Sequence, residues 1–345
     1  MNQYLLSIMK GQRSGFIAQL ITWALMPFSL IYGAGVFCHR NFYHLKGAYK
    51  AAKPVISIGN ITVGGAGKTP LVIWLARKLK DKGLRPVVLT RGYMPQASKG
   101  SDEVDMLNEQ IPLIPVLAGA DRVNNIRNNA FPVDVYIADD AFQHWPLQRD
   151  LNIVAIDAAN PFGRGHLLPA GILREPLSSL KRADVFVLTK TGALGSTQIL
   201  SSKLKEINSK ALIVESRYKS VGVVDVFDTQ RMPENFLNDK PVVGFCAIGD
   251  PLSFESSLKS CGAKILKLFT YMDHHVYTRD DVQRMVEFCR AGKAQVLVTT
   301  HKDAVKLKPF KGLFAGVRLV YIPIQLEITQ GSDEFLQKVI SVCRH

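Results

Sequence analysis

The feature that most constrains the fold is an apolar segment, a glycine-rich turn and a helical segment in succession, VISIGNITVGGAGKTP over residues 55–70. Glycines let main-chain N–H groups close around phosphate oxygens, and the N-terminus of the following helix adds a dipole that favours anions. Lys68 supplies a cation for the phosphates, and Thr69 supplies a hydroxyl for Mg²⁺. Pro70 falls in the first helical turn, where its missing N–H is not needed. The segment therefore predicts a phosphate-binding loop between a strand and a helix.

The match to the pattern G-x-x-x-x-G-K-[ST] is incomplete, because Thr62 stands at the first glycine position. Other glycines in the turn compensate in part. The alternative is an accidental Gly-Lys-Thr in an ordinary turn, but the preceding strand and the following helix favour a true phosphate loop. The residues predicted to bind ATP are Thr62, Val63, Gly64, Gly65, Ala66, Gly67, Lys68 and Thr69.

The rest of the chain alternates strand-like and helix-like segments, which is typical of layered α/β domains with a mostly parallel sheet. Its 345 residues suffice for about two domains. Regular periodicity is lost over residues 216–240, which predicts a linker. The predicted fold class is α/β: a P-loop NTPase-like α/β/α core domain over 41–220, and a smaller C-terminal α/β domain over 221–345 with the linker at its start. A membrane-associated helix over 1–40 precedes them.

That N-terminal helix is predicted from residues 15–38, which contain no charged side chain. At 1.5 Å per residue the segment is long enough to cross a hydrocarbon core of about 30 Å. A signal peptide is disfavoured because the apolar run is long and Arg40 follows it. A helix that spans the membrane, a helix that lies in its interface and a buried core helix all stay open.

The charge distribution narrows the choice of partner. The net charge is +14, and no Asp or Glu precedes Asp81. An anionic membrane surface and nucleic acid would both attract such a chain. Nucleic-acid binding is disfavoured because the positive charge is spread over the apolar segment, the phosphate loop and helix faces, without a recognition module. Five scattered cysteines predict free thiols in a reducing compartment, and no Cys/His metal cluster is evident.

A second chemical motif follows the apolar segment VDVYIADD, which ends in Asp139 and Asp140. In P-loop proteins a strand end of this kind presents a carboxylate to Mg²⁺ beside the phosphate loop, so both residues are metal candidates. Gln143 and His144 are predicted to face the same cleft. An Asp-capped turn without catalytic function is the alternative.

Three further groups of polar residues are candidates for acceptor chemistry. The first group consists of Asp102 and Glu103, together with His274 of the DHH turn (273–275). These residues either cap helices or form a general base for a hydroxyl. A base is plausible chemistry because a carboxylate beside a histidine commonly accepts a proton. The loop over 163–176, with Arg174, either clamps a phosphate or is a plain surface loop. A third group either contacts the nucleotide base or opens a helix; it consists of Lys302 and Asp303.

Taken together, the motifs resemble the tetraacyldisaccharide 4'-kinase family of Gram-negative bacteria. The likeness rests on GNITVGGAGKTP (59–70), TRGY (90–93), DE (102–103), DDAFQH (139–144), LLPAGILREP (167–176), YMDHH (271–275) and HKDAVKL (301–307), in family order over nearly the whole chain. The family also lacks the first glycine of the loop. Ala141 departs from it, standing where the family usually has glycine, and Arg164 and His301 replace commoner residues.

The resemblance implies transfer of the γ-phosphate of ATP to the 4'-hydroxyl of a tetraacylated glucosamine disaccharide 1-phosphate, which gives lipid IVA in lipid A biosynthesis. It implies ATP and Mg²⁺ as cofactors, two domains that close over nucleotide, and a location at the cytoplasmic face of the inner membrane. The expected partners are a lipid substrate and a membrane surface, and no nucleic acid is expected. The protein is expected to be a monomer. The implied roles are phosphate binding by Lys68, Mg²⁺ binding by Thr69, Asp139 and Asp140, catalysis by Asp102 with His274, and substrate binding by Glu103, Gln143, His144, Arg174 and Glu175.

Two other functions use the same phosphate loop. A P-loop ATPase switch would hydrolyse ATP to change partners, but Thr62 stands where many such proteins carry a signature lysine. A nucleotide-binding membrane adaptor would bind ATP without turnover. ATP turnover measured with and without a lipid acceptor distinguishes these two hypotheses from a kinase, because a kinase needs the acceptor.

Overall fold

The computed structural model describes residues 3–92, 102–191, 197–272 and 275–344. The chain divides into two compact units. The first comprises Met1–Gly92, Gln110–Tyr218 and Leu326–His345, and the second comprises Tyr93–Glu109 and Lys219–Gln325.

The strands of the first unit form an eight-stranded sheet within the described residues. They are β1 Val55–Gly59, β2 Pro86–Thr90, β3 Val116–Ala118, β4 Val135–Asp139, β5 Leu151–Asp157, β6 Val185–Thr189 and β7 Leu212–Ser220, together with β13 Ile324–Gln330 near the C-terminus. The order is β13-β7-β6-β5-β1-β4-β2-β3. The central strands are buried along their whole length, as in a parallel sheet covered on both faces.

The helices of the first unit are α1 Gln3–Met9, α2 Phe16–Lys46, α3 Lys68–Asp81, α5 Arg122–Arg127, α6 Gln198–Ile207 and α10 Ser332–Cys343, whereas residues 102–109 of α4 Asp102–Gln110 belong to the second unit. β1 pairs in parallel with β4 on one side and β5 on the other. Because the carboxyl ends of parallel strands meet at one sheet edge, the segments that follow β1 and β4 emerge side by side. This edge carries the candidate site.

The second unit contains a five-stranded sheet in the order β10-β9-β11-β12-β8, counted over the described residues. Its strands are β8 Val224–Asp225, β9 Pro241–Cys246, β10 Lys264–Thr270, β11 Val296–Thr300 and β12 Arg318–Ile322; its helices are α7 Pro251–Ser260, α8 Arg279–Ala291 and α9 His301–Leu307. Among these described strands, β8 pairs antiparallel with β12, and the other neighbours pair in parallel. Aliphatic side chains of α8 and the central strands form its core.

The two-domain α/β fold with an N-terminal apolar helix agrees with the prediction, but the unit boundaries differ in two places. Residues 326–345 group with the first unit, and residues 93–109 group with the second. The sequence predicts a single strand over 317–324, whereas the chain leaves the second sheet at Pro323 and β13 joins the first. Proline has no N–H for a ladder hydrogen bond, so a strand readily ends there.

The apolar helix α2 packs along one side only. Ala18, Thr22 and Ser29 are buried, whereas most of its large apolar side chains are exposed. It is long and apolar enough to cross a membrane. The exposed large side chains are Phe16, Ile17, Leu20, Trp23, Phe28, Leu30, Ile31, Phe37, Phe42 and Leu45.

Candidate active site

The glycine-rich loop runs from the end of β1 to the start of α3 and has the backbone that the sequence predicts. Gly64 and Gly67 adopt positive φ angles of 121° and 81°. A Cβ at Gly67 would lie 1.7 Å from the Tyr218 hydroxyl oxygen, so this position requires glycine for both conformation and space. The Thr189 hydroxyl donates to the Ala66 carbonyl at 3.1 Å and links the loop to the end of β6.

Lys68, the first residue of α3, lies between two oxygen acceptors at this edge. Its Nζ is 3.2 Å from Asn60 Oδ1 and 3.5 Å from Asp140 Oδ1. Asn60 is fully buried, and its Nδ2 donates to the Thr62 carbonyl at 2.8 Å. Gln143 Nε2 in turn donates to the Asn60 carbonyl at 2.8 Å. Asn60 thus ties the loop to the lysine, a role that the sequence analysis missed.

The two carboxylates at the end of β4 lie beside the loop because Ile58 of β1 pairs with Asp139. Asp139 is buried, and Asp140 adopts a left-handed backbone with φ 47°. Both Asp140 oxygens lie 3.0 Å from Arg174 Nη1. Burial favours a higher pKa for Asp140, but Lys68 and Arg174 outweigh it and hold that pKa below its usual value. Asp140 is therefore an ionised carboxylate that contacts two cationic side chains.

Arg122, at the start of α5, is a further member of the site. It is buried, and its Nη2 donates to the main-chain carbonyl of Asp139 and, at 3.5 Å, to that of Asp140. Burial lowers the pKa of Arg122, whereas Asp139 and Asp140 favour its charged form. The guanidinium thus stabilises the turn that presents both carboxylates. Its sequence context, ADRVNN, carries no motif that would have identified it.

Arg174 reaches Asp140 from a segment that pairs with the phosphate loop. The Arg174 N–H donates to the Ile61 carbonyl at 2.7 Å, and the Val63 N–H donates to the Ile172 carbonyl at 2.8 Å. The arginine of loop 163–176 therefore lies beside the glycine-rich loop, and a phosphate clamp formed by this loop stays a prediction.

Comparison with known proteins decides the family. The family model described as tetraacyldisaccharide-1-P 4'-kinase matches residues 21–341. The tetraacyldisaccharide 4'-kinase of Halothermothrix orenii is 33% identical over 341 residues, covering 89% of this chain and 88% of that relative. The enzyme of that name from Syntrophus aciditrophicus is 36% identical over 320 residues, covering 84% and 85% of the two chains. This chain belongs to the tetraacyldisaccharide 4'-kinase family.

A solved structure of LpxK from Aquifex aeolicus in complex with ATP matches the fold of this family member with a TM-score of 0.70. It is 26% identical in sequence, and the match covers 94% of this chain and 100% of that one. The resemblance and the fold class predicted from the motifs are thereby confirmed.

The departure of this family member at Ala141 is accommodated by the local backbone. The positive φ in this turn falls on Asp140, the preceding residue, and Ala141 is buried in the core beside β1 and β4. A methyl group at position 141 therefore packs as an ordinary core side chain.

Two of the residues predicted to bind substrate in the kinase are shielded from solvent: Glu175 is buried and His144 is half-buried. Glu175 is 1% exposed, and its two oxygens each lie 2.9 Å from an Arg182 nitrogen. The Arg182 guanidinium packs over the rings of Phe142 and Trp145. Burial, reinforced by nearby arginines, lowers the pKa of His144 to about 4. Substrate contact by Glu175 and His144 stays a prediction.

The proposed base of the kinase lies largely outside the described residues. α4 begins at Asp102, but the side chains of Asp102 and Glu103 and the whole of His274 are outside the described part of the chain. The neighbouring His275 is described: its Nε2 lies 3.0 Å from Asp281 Oδ2, and its ring stacks on Tyr271. The roles of Asp102, Glu103 and His274 stay predictions.

Asp303 makes structural hydrogen bonds at the start of α9, while contact of Lys302 and Asp303 with the nucleotide base stays a prediction. Asp303 is fully buried, and its Oδ2 accepts hydrogen bonds from the Ala247 N–H at 2.9 Å and the Thr300 hydroxyl at 2.8 Å. It thus joins the segment after β9 to Thr300 at the end of β11, and the Thr300 side chain in turn caps α9.

The donor set beside the loop fits Mg²⁺. Thr69, Asp139 and Asp140 offer a hydroxyl and two carboxylates, the hard oxygen ligands that Mg²⁺ prefers. In the described ranges, no group of three or more His, Cys, Asp or Glu side chains is placed to hold a metal alone.

Proposed function

We propose that the chain transfers the γ-phosphate of ATP to the 4'-hydroxyl of a tetraacylated glucosamine disaccharide 1-phosphate. The observation that carries the proposal is the cluster of Lys68, Asp140 and Arg174. In this cluster a lysine of the phosphate loop and an arginine of the LREP segment (173–176) both contact the carboxylate that follows β4. Membership in the tetraacyldisaccharide 4'-kinase family names the acceptor.

The phosphate loop holds the nucleotide in this proposal. The N–H groups of residues 63–69 and the Lys68 ammonium bind the β- and γ-phosphates at the N-terminus of α3. Thr69, Asp139 and Asp140 hold Mg²⁺, which when bound neutralises charge on the phosphates. Arg122 keeps the two carboxylates in register, and Arg174 places a second cation beside Asp140.

The acceptor oxygen attacks the γ-phosphorus as the bond to the β,γ-bridging oxygen breaks, so that ADP leaves. Asp102, assisted by His274, accepts the hydroxyl proton, since a carboxylate paired with an imidazole has the chemistry of a general base. Arg174, together with Glu103, Gln143, His144 and Glu175, forms the acceptor side.

The kinase acts as a monomer at the cytoplasmic face of the inner membrane. The acceptor carries four acyl chains and is confined to a bilayer, whereas ATP is cytosolic. The exposed apolar side of α2 suits the membrane–water interface. Its other side is hydrogen-bonded to the rest of the first unit through Thr22 and Ser29. A helix held along its length in this way lies in the interface rather than crossing the bilayer alone.

The decisive experiment measures transfer of labelled γ-phosphate from Mg-ATP to detergent-solubilised tetraacyl disaccharide 1-phosphate. Lys68→Ala should abolish transfer because it removes the cation at the phosphates. Lys78→Ala is the matched control, since Lys78 is an exposed lysine on the same helix. Label released as free phosphate regardless of lipid would contradict the kinase and support an ATPase switch.

A further inference from the structure

The buried side of α2 carries hydroxyl groups that bond carbonyls of their own helix and also reach residues outside it. Thr22 and Ser29 are only 4% and 3% exposed. The partners of Thr22, Ser29 and Tyr32 beyond the helix lie on the segment 163–174, which ends at the active-site arginine. Arg164 Nη1 lies 3.4 Å from the Thr22 hydroxyl.

Ser29 holds the middle of that segment by two hydrogen bonds. Its hydroxyl donates to the Leu167 carbonyl at 2.9 Å and accepts from the Ala170 N–H at 2.9 Å. The neighbouring helix turn makes a close approach, because a Cβ at Gly33 would lie 2.9 Å from Leu167 Cδ1. The polar face of α2 thus replaces the water that these main-chain groups would otherwise need.

Tyr32 holds the end of the segment, at Arg174 itself. The Tyr32 hydroxyl donates to the Arg174 carbonyl at 3.1 Å. From the opposite side, the Arg174 N–H donates to the Ile61 carbonyl at 2.7 Å, just before the phosphate loop. The backbone of Arg174 is therefore fixed between α2 and the loop, while its guanidinium lies 3.0 Å from both Asp140 oxygens.

We infer that Tyr32 is a positioning residue for phosphoryl transfer: its hydroxyl fixes the Arg174 backbone, so that the helix facing the bilayer also orients the active-site arginine. The inference rests on the proposed function. A long arginine side chain keeps one geometry only when its backbone is fixed, and an error of about 1 Å in a positioned group lowers rates steeply. The Tyr32 hydroxyl contacts the Arg174 main chain, so on this inference its loss acts through Arg174.

The test compares Tyr32→Phe with Tyr43→Phe in steady-state kinetics, with the acceptor in mixed micelles and ATP varied. Tyr43 lies on the same helix and packs its ring against His39 and Phe42. Loss of one hydrogen bond predicts that Tyr32→Phe lowers kcat by about 3- to 10-fold and leaves KM for ATP and for the acceptor within about 2-fold. Tyr43→Phe should retain the wild-type kcat.

A double-mutant cycle with Arg174→Gln separates positioning from a general structural effect. If Tyr32 acts through the Arg174 side chain, Tyr32→Phe causes no further loss of kcat in the Arg174→Gln background. An unchanged thermal unfolding transition of Tyr32→Phe completes the expected result.

Three outcomes would overturn the inference: an unchanged kcat for Tyr32→Phe, a loss that multiplies with that of Arg174→Gln, or a raised acceptor KM with unchanged kcat, which assigns Tyr32 to lipid binding. Failure of the proposed function looks different. In that case the wild-type protein labels no lipid, whereas wild-type transfer by Arg174→Gln would leave the function intact and also overturn the inference by removing the role of Arg174.

Discussion

At the scale of single residues, the candidate site is organised by a carboxylate with two cationic neighbours. Asp140 contacts Lys68 from the phosphate loop and Arg174 from the LREP segment. Its lowered pKa keeps it ionised at neutral pH, although burial alone would favour the protonated form. The same charge therefore suits binding of Mg²⁺ and orientation of both cations.

His144 shows the opposite response to burial, because it is held neutral. Burial lowers its pKa to about 4, and the nearby Arg122 and Arg149 act in the same direction. An unfolded histidine titrates near pH 6.5. As the pH falls from about 6.5 to about 4, the unfolded chain gains a proton at His144 that the folded protein does not, so stability declines over this window.

His144→Gln should therefore make stability less dependent on pH. The free energy of unfolding, measured in urea at about pH 7, 6 and 5, should fall less steeply with acidification for the variant than for the wild type. His39→Gln, at an exposed position of α2, is the control. Equal slopes for His144→Gln and the wild type would contradict the assignment.

At the scale of elements, the C-terminal segment belongs to the first unit. The chain leaves the second sheet after β12, β13 lies beside β7, and α10 packs near α3. Phe335 of α10 is fully buried and stacks on Trp74 of α3, with ring centroids 5.6 Å apart. α3 begins at the phosphate loop, so the C-terminus of the chain supports the helix that binds phosphate.

Phe335→Ala should destabilise the first unit by about 3–5 kcal/mol, the usual result of removing a buried phenyl ring. Chemical unfolding followed by tryptophan fluorescence measures this change, because Trp74 lies in the contact. Phe131→Ala, at a position 50% exposed, is the matched control and should have a small effect. Equal destabilisation by the two variants would show that α10 does not support this unit.

At the scale of the whole molecule, an apolar surface and a positive charge act together. The net charge is +14, and the first 80 residues contain no carboxylate side chain. The exposed side of α2 is apolar, whereas isolated apolar residues elsewhere on the surface are ordinary. Such a protein should bind anionic bilayers through both burial and charge attraction.

Binding to vesicles that contain phosphatidylglycerol tests this expectation. Ile31→Asp, at a position 70% exposed on α2, should weaken binding about 10-fold or more, because it removes apolar burial and adds a negative charge. Ile199→Asp, at a position 84% exposed on α6, should leave binding close to the wild type. Raised salt should weaken binding of all three proteins, and equal binding of the two variants would exclude α2 as the membrane contact.

The family, the phosphate loop, the two carboxylates at the end of β4 and most strands could be predicted from the amino-acid order alone. These features depend on local order along the chain: glycine spacing, apolar runs and a lysine followed by threonine. The family resemblance, in contrast, implied Asp102 and His274 as a base, which stays a prediction.

Contacts between residues that lie far apart in the chain could not be predicted from these local patterns. The side chains of three residues donate hydrogen bonds to main-chain carbonyl groups, and no sequence motif marks such contacts: Asn60, Arg122 and Tyr32. The division of residues 317–330 between two sheets also depends on which sheet edge has a place for a strand, although Pro323 marks the break. Motifs record local chemistry, whereas long-range hydrogen bonds and sheet order arise only when distant segments pack together.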